Sequence, residues 1–209
     1  MLARLVRRLR FGAPIIIVSG LPRSGTSMMM KMLAAGGVAL VTDGIRSADD
    51  SNPEGYFELE AVKTLDKPDT RGDLRWLGDA RGRAIKILSP LLTWLPDSHN
   101  YQVIFMQRPL SEVIASQDVM LARAGERTDV APHEQVRQQF EAHLREVRGL
   151  LARRACFETL FIDYPTVIAD PATTAASVAH FVGRSPEAAA AMAATVNARL
   201  YRQRQRQQP

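Results

Sequence analysis

The stretch IIIVSGLPRSGTSMMMKML, residues 15–33, constrains this chain more than any other. The apolar residues 15–18 run on without alternating, as in a strand buried on both faces. A turn follows with Gly20 and Gly25 in the spacing Gly-x4-Gly, and 26–35 reads as a helix that Gly36 and Gly37 end. A strand–turn–helix of this kind points several backbone N–H groups, and the positive end of the helix dipole, at one spot. Phosphate or sulfate is the favoured occupant. Gly20 and Gly25 let the backbone bend close to it, and Ser24, Thr26 and Ser27 add hydroxyl donors.

Further strands and helices alternate along the chain. RAIKILS and YQVIFMQR are strand candidates ending near Leu88 and Gln107, and FETLFID is the last. Pro109 opens a helix expected to bury Val113, Ile114, Val119 and Met120, since proline suits a first helical position. A polar helix spans 132–153. In DPATTAASVAHFVG, Asp170 is the expected cap and Gly183 lies beyond the end. TDGIRSADDSNPEG is rich in turn formers and acids and reads as a surface loop. YFELEAVKTLDK follows it with helical spacing at Phe57, Ala61, Val62 and Leu65. Strands separated by helices predict an α/β fold with a parallel sheet covered on both faces. Ligands of such sheets bind at the carboxyl ends of the strands, which singles out Arg23, Ser89, Arg108 and Tyr164.

Composition narrows the setting. The 209 residues suffice for one substantial core and are expected to form a single domain over 1–209. A single cysteine, Cys156, gives no internal disulfide and no cysteine-based metal cluster. The opening MLARLVRRLRF has arginines but neither an apolar signal core nor a small-residue cleavage site, and no run reaches the ~20 residues of a membrane span. The expectation is cytoplasmic. Net charge is +5, with arginines gathered in a basic helix at 1–13 and a basic tail at 200–209. Leu2, Leu5, Val6 and Leu9 fall at i, i+3, i+4 and i+7, so the first helix is expected to dock this stripe on the domain. Weak contact with a membrane surface is the alternative. Aromatic residues make up only 6%, with no basic–aromatic platform for nucleic acid.

The loop lacks one familiar element. In an ATP-using P-loop enzyme a lysine just after the second glycine reaches the terminal phosphates, and the next Ser or Thr holds magnesium. Here Thr26 occupies that position, and the cation, Arg23, comes early. PRSGTS resembles the 5′-phosphosulfate loop of the sulfotransferases, which take a sulfuryl group from 3′-phosphoadenosine 5′-phosphosulfate (PAPS). Two more segments carry the resemblance. VIFMQRPLSEVIASQ has Arg108 ending a strand and Ser116 eight residues on, the Arg-x7-Ser with which that family holds the 3′-phosphate. FIDYPTVIADP resembles the segment in which a strand ends in tyrosine, so Tyr164 falls near the adenine. Pro165-Thr166 departs from the usual Glu-Asp there. NPEGYFE is similar to a segment of small bacterial sulfotransferase-like proteins, and the likeness runs from about Pro14 to Arg204.

The resemblance implies a three-layer α/β/α, P-loop NTPase-like fold with PAPS as donor and no metal. Arg23, Ser24, Gly25, Thr26 and Ser27 would hold the phosphosulfate, and Arg108, Ser116 and Tyr164 the rest of the nucleotide. Lys86 matches the family lysine on the strand facing the reacting centre. Cytosolic members often have histidine two residues beyond it, whereas this chain has Leu88, so a carboxylate must serve as base. Glu58 is the choice, with Glu54 and Asp43 behind it. Arg202 or Arg204 would fold back on the nucleotide. The acceptor, whether carbohydrate, lipid, peptide or another small molecule, would enter by the loop at 43–56. Two rival readings stay open: a P-loop kinase with Asp43 or Asp163 holding magnesium, and a non-catalytic nucleotide-binding module. Neither acceptor nor oligomeric state is legible.

Overall fold

The computed structural model describes residues 2–46, 55–67, 74–125 and 132–198. Four parallel strands form the sheet: β1 (Ile15–Gly20), β2 (Ala84–Lys86), β3 (Tyr101–Gln107) and β4 (Phe157–Asp163), in the order β2-β1-β3-β4. Every residue of β1 is buried, as its unbroken apolar run requires. β1 leads to β2 on one side of it, and β2 then crosses back to β3 on the other. The carboxyl end of β1 is therefore the point where strand order reverses, and the glycine turn lies there.

Side chains alternate along the strands and feed two cores. Ile16, Val18, Ile104 and Met106 join Met29, Leu33, Val178 and Met192 from α2 (Thr26–Ala35), α7 (Pro171–Phe181) and α8 (Pro186–Ala194). On the other face Ile15, Ile17, Val103 and Phe105 join Leu77, Val147 and Leu151 from α3 (Arg75–Asp79) and α5 (His133–Arg153). The result is the three-layer α/β/α arrangement. Leu40 bridges Ala84 in parallel, covering the outer edge of the short β2.

Helix ends follow the local chemistry. α2 begins at Thr26, and Asp170 caps α7 by accepting a hydrogen bond from the Thr173 amide at 3.0 Å. α4 (Leu110–Ala124) starts after Pro109. It buries Val113 and Ile114 as expected, but Val119 is exposed and Glu112 and Ser116 are buried instead. That face meets the glycine turn as well as the core, which explains its polar members.

Three local expectations give way. The region around 57–65 is not one helix but a five-residue 3-10 turn, Glu60–Thr64. Phe57 takes a left-handed φ of 52°, and the Glu58 carbonyl accepts from Thr42 Oγ1 and the Asp43 amide rather than from a residue further along a helix. The strand expected to end in tyrosine ends at Asp163, and the chain goes straight into α6 (Tyr164–Ala169), with Pro165 in the first turn where proline is tolerated.

The third concerns α1 (Leu2–Phe11), which docks by its arginines. Arg4 Nε and Arg7 Nη1 lie 2.6 and 3.3 Å from the Glu158 carboxylate on β4, and the Arg4 guanidinium lies over the Phe181 ring of α7. An anion beside an aromatic face takes guanidinium groups and their aliphatic stems in preference to leucine. The apolar stripe points outward.

Candidate functional site

Between β1 and α2 the chain turns through Leu21, Pro22, Arg23, Ser24 and Gly25. Ser24 is buried, and its hydroxyl donates to the Leu21 carbonyl at 2.7 Å, closing the turn on itself. A Cβ on Gly20 would stand 2.5 Å from the Met106 carbonyl oxygen and from Ser24 Oγ. Gly25 has φ 99°, and a Cβ there would come within 2.3 Å of the Tyr164 ring. Only glycine fits. No side chain caps α2, so its first amides face the mouth of the turn.

Arg23 also takes a left-handed φ, 68°, a conformation that costs a non-glycine residue about 1 kcal/mol. That backbone sends its side chain across to α4, where Nε donates to Ser116 Oγ at 2.9 Å. Arg108, just beyond the end of β3, reaches back. Its Nη1 donates to the Arg23 carbonyl at 3.0 Å, its Nε pairs with Glu112 at 2.9 Å, and its guanidinium stacks over Tyr164 at 4.7 Å. Arg23, Arg108, Ser116 and Tyr164 thus form one cluster at one rim. The sequence reading separates Arg23 from the Arg108–Ser116 pair; in the fold they touch.

Lys86 ends β2 on the opposite side of the turn. Its side chain is buried, with Nζ 3.0 Å from the Tyr56 carbonyl oxygen and 3.5 Å from Ser27 Oγ. Burial lowers its pKa from the ordinary lysine value, and the fields of Arg46 and Arg23 act in the same direction, while Glu58 opposes them. Glu58 lies 3.7 Å from Lys86, 3.2 Å from Arg46 and 3.5 Å from Lys63. An acceptor hydroxyl at Glu58 would compete with three cations. Asp43 does not back it: its carboxylate accepts from the Ile45 and Glu60 amides, and these bonds lower its pKa. Glu54, Arg202 and Arg204 lie outside the described residues. Ser89, singled out by its place after β2, hydrogen-bonds His143 Nε2 at 2.9 Å on the α5 face.

Three contributors escape the sequence reading. Glu112 is four residues after Arg108 on the following helix, a spacing that signals an ion pair. Arg46, with its guanidinium 3.5 Å from the centre of the Tyr56 ring, carries no such signal in its loop. The third is a cavity of about 450 Å³ between the ends of β3 and β4 and the helices α4 and α5. Ser24 and Arg108 line it with Leu21, Phe105, Leu144 and Pro165, and its size is within the roughly 300–1,000 Å³ of small-molecule sites. Asp163, one of the two acids the kinase reading offers for magnesium, lines this cavity.

No protein-family model matches the chain, and no curated protein matches it. Among solved structures, it is similar to retinol dehydratase in complex with androsterone and the inactive cofactor PAP. That likeness has 18% identity and a TM-score of 0.48, covering 93% of this chain and 68% of the other. A retinol dehydratase complex with retinol and PAP gives 16% identity and a TM-score of 0.49, covering 93% and 69%. Both scores are low, so the architecture is read from strand order and connections rather than from these likenesses.

Proposed function

We propose that this chain is a sulfotransferase, taking the sulfuryl group of PAPS to a hydroxyl or amine of an acceptor. The observation that carries the reading is the position of buried Lys86 across Ser27 from the cluster of Arg23, Arg108 and Ser116, with the uncapped start of α2 between them. Two groups of cations flanking a helix N-terminus suit a nucleotide that is anionic at both ends. The glycine positions fit the same ligand, since the backbone at Gly20 and Gly25 approaches too closely to admit a Cβ.

The donor supplies a sulfur–oxygen bond whose cleavage leaves PAP, while a new bond forms from sulfur to the acceptor oxygen or nitrogen and the acceptor loses a proton. This chain's work is positioning and electrostatics. Arg108 and Ser116 hold the 3′-phosphate, with Arg23 bridging from there to the turn. The amides of Thr26 and Ser27, with their hydroxyls, hold the 5′-phosphate. Lys86 stabilises charge on the oxygens about the sulfur, and desolvation strengthens its field there. Glu58 takes the acceptor proton and orients Lys86. Arg46 and Tyr56 line the side by which the acceptor enters, in the cytoplasm.

Thermal shift separates this reading from a kinase. PAP without magnesium should stabilise the chain, by about 2.7 kcal/mol at a hundredfold excess over its dissociation constant, and ATP with magnesium should do little. The reverse pattern excludes the proposal. Labelled PAPS and a metabolite extract should then give a sulfated product that Glu58→Gln loses. PAP binding with no product from any extract would mark a binding module.

A further inference from the structure

We infer that α1 is a peripheral membrane anchor whose outward face lies in the interface of an anionic lipid bilayer. Leu2, Leu5, Val6 and Leu9 are 76%, 55%, 55% and 80% exposed, four of the eight large apolar residues exposed among the described residues. Around the helix, at about 100° per residue, these four fall within a sector about 100° wide. Arg4, Arg7 and Phe11 lie on the far side, about 150–170° from the stripe's centre, where Arg4 and Arg7 grip Glu158.

The flanks identify the occupant. Arg8 and Arg10 lie about 110° and 90° to either side of the stripe and are exposed, and no acidic residue occurs on the helix. An apolar sector bordered on both sides by arginine is complementary to a bilayer surface. Leucines enter the acyl boundary while the guanidinium groups snorkel to anionic headgroups. The helix is held by its opposite face, so insertion need not disturb the sheet. The net charge of +5 adds attraction of the same sign. No helix among the described residues is long and apolar enough to cross a membrane, so the contact is one of lying on the surface.

Cosedimentation of the full chain with vesicles tests this. The chain should pellet with phosphatidylcholine–phosphatidylglycerol vesicles and stay largely in solution with phosphatidylcholine alone. Losing one arginine near the surface weakens partitioning about fivefold, so Arg8→Gln/Arg10→Gln should cost about 25-fold. Leu5→Gln/Leu9→Gln, which keeps the charge, should cost at least as much. Neither pair supports the fold from inside, so both should melt with the wild type. Three results overturn the inference: no pelleting with anionic vesicles; binding that needs the arginines but ignores the leucine changes; or a stable dimer that Leu5→Gln/Leu9→Gln separates without any vesicle binding.

Discussion

Replacing Arg108 by alanine tests whether the arm proposed to hold the 3′-phosphate is also a structural member of the fold. The Arg108 and Glu112 side chains are 8% and 4% exposed, with 2.9 Å between Nε and the carboxylate. Removing one partner of such a pair leaves a buried charge and costs about 3–5 kcal/mol. Glu112 lies in the first turn of α4, where the helix dipole returns part of this, so about 3 kcal/mol is expected for Arg108→Ala. In a chain of this size each kcal/mol moves Tm by about 2–4 °C, so the variant should melt about 6–12 °C early. Loss of PAP binding in that variant alone would therefore not distinguish a missing ligand contact from a loosened site. Arg108→Met/Glu112→Leu removes both charges and should recover most of the stability while leaving PAP without its guanidinium. Urea unfolding of the wild type, Arg108→Met, Glu112→Leu and the double should give a coupling of about 2 kcal/mol. Additivity within about 0.5 kcal/mol would refute the reasoning, because Glu112 would then not depend on Arg108.

Three other outcomes are expected. Gly25→Ala should destabilise by about 2–5 kcal/mol, combining left-handed strain with a clash on Tyr164, and Tyr164→Ala in the same chain should return only the packing part; a wild-type melt for Gly25→Ala would contradict the packing of that turn. Burial lowers the pKa of His143 against a smaller opposing effect of Glu146, so the unfolded chain binds more protons below neutrality and stability falls with acid. Between about pH 7 and pH 5 His143→Gln should flatten the Tm profile, with His99, lowered by burial and by Arg81, keeping part of the slope; parallel profiles would contradict this. Lys86 is also depressed, so as pH rises through a window below the ordinary lysine value the chain alone should gain stability while PAP binding weakens; titration calorimetry showing pH-independent affinity there would remove Lys86 from the site.

The frame of the fold is legible because burial on both faces leaves a plain pattern. β1 and β3 are unbroken apolar runs, and they form the centre of the sheet. The start of α2 at Thr26 follows from the glycine before it, and that of α7 from Asp170-Pro171. Periodicity fails where a tertiary partner outweighs it. In α1 the stripe of Leu2, Leu5, Val6 and Leu9 is correctly helical but says nothing about which face docks. Glu158 and Phe181, more than 150 residues away in sequence, decide that. Around residues 57–65 the helical spacing competes with bonds from Thr42 and the Asp43 amide to the Glu58 carbonyl, and those bonds prevail. Of the candidate site, the spacing of Arg108 and Ser116 is readable because both residues flank one strand–helix junction. The reach of Arg23 across to Ser116 is not, since it depends on a left-handed backbone in a residue with no intrinsic preference for it.

That backbone at Arg23 ties the local strain to the site. A glycine there would relieve about 1 kcal/mol of strain, yet would lose both the bond to Ser116 and the cation. The Arg23 carbonyl is at the same time the anchor for Arg108 Nη1, and Arg108 in turn stacks on the Tyr164 ring that packs against Gly25. Turn, strand end and α6 therefore fix one another through contacts made by a single arginine pair. Two guanidinium groups are thereby brought to one rim, Arg23 toward Ser116 and Arg108 toward Glu112. An anion at this rim would be within reach of both cations. Arg23→Gly should therefore weaken PAP binding while its relieved strain offsets part of the lost Ser116 bond, so binding and stability should trade against each other at this residue; a variant that binds PAP as the wild type does would contradict this.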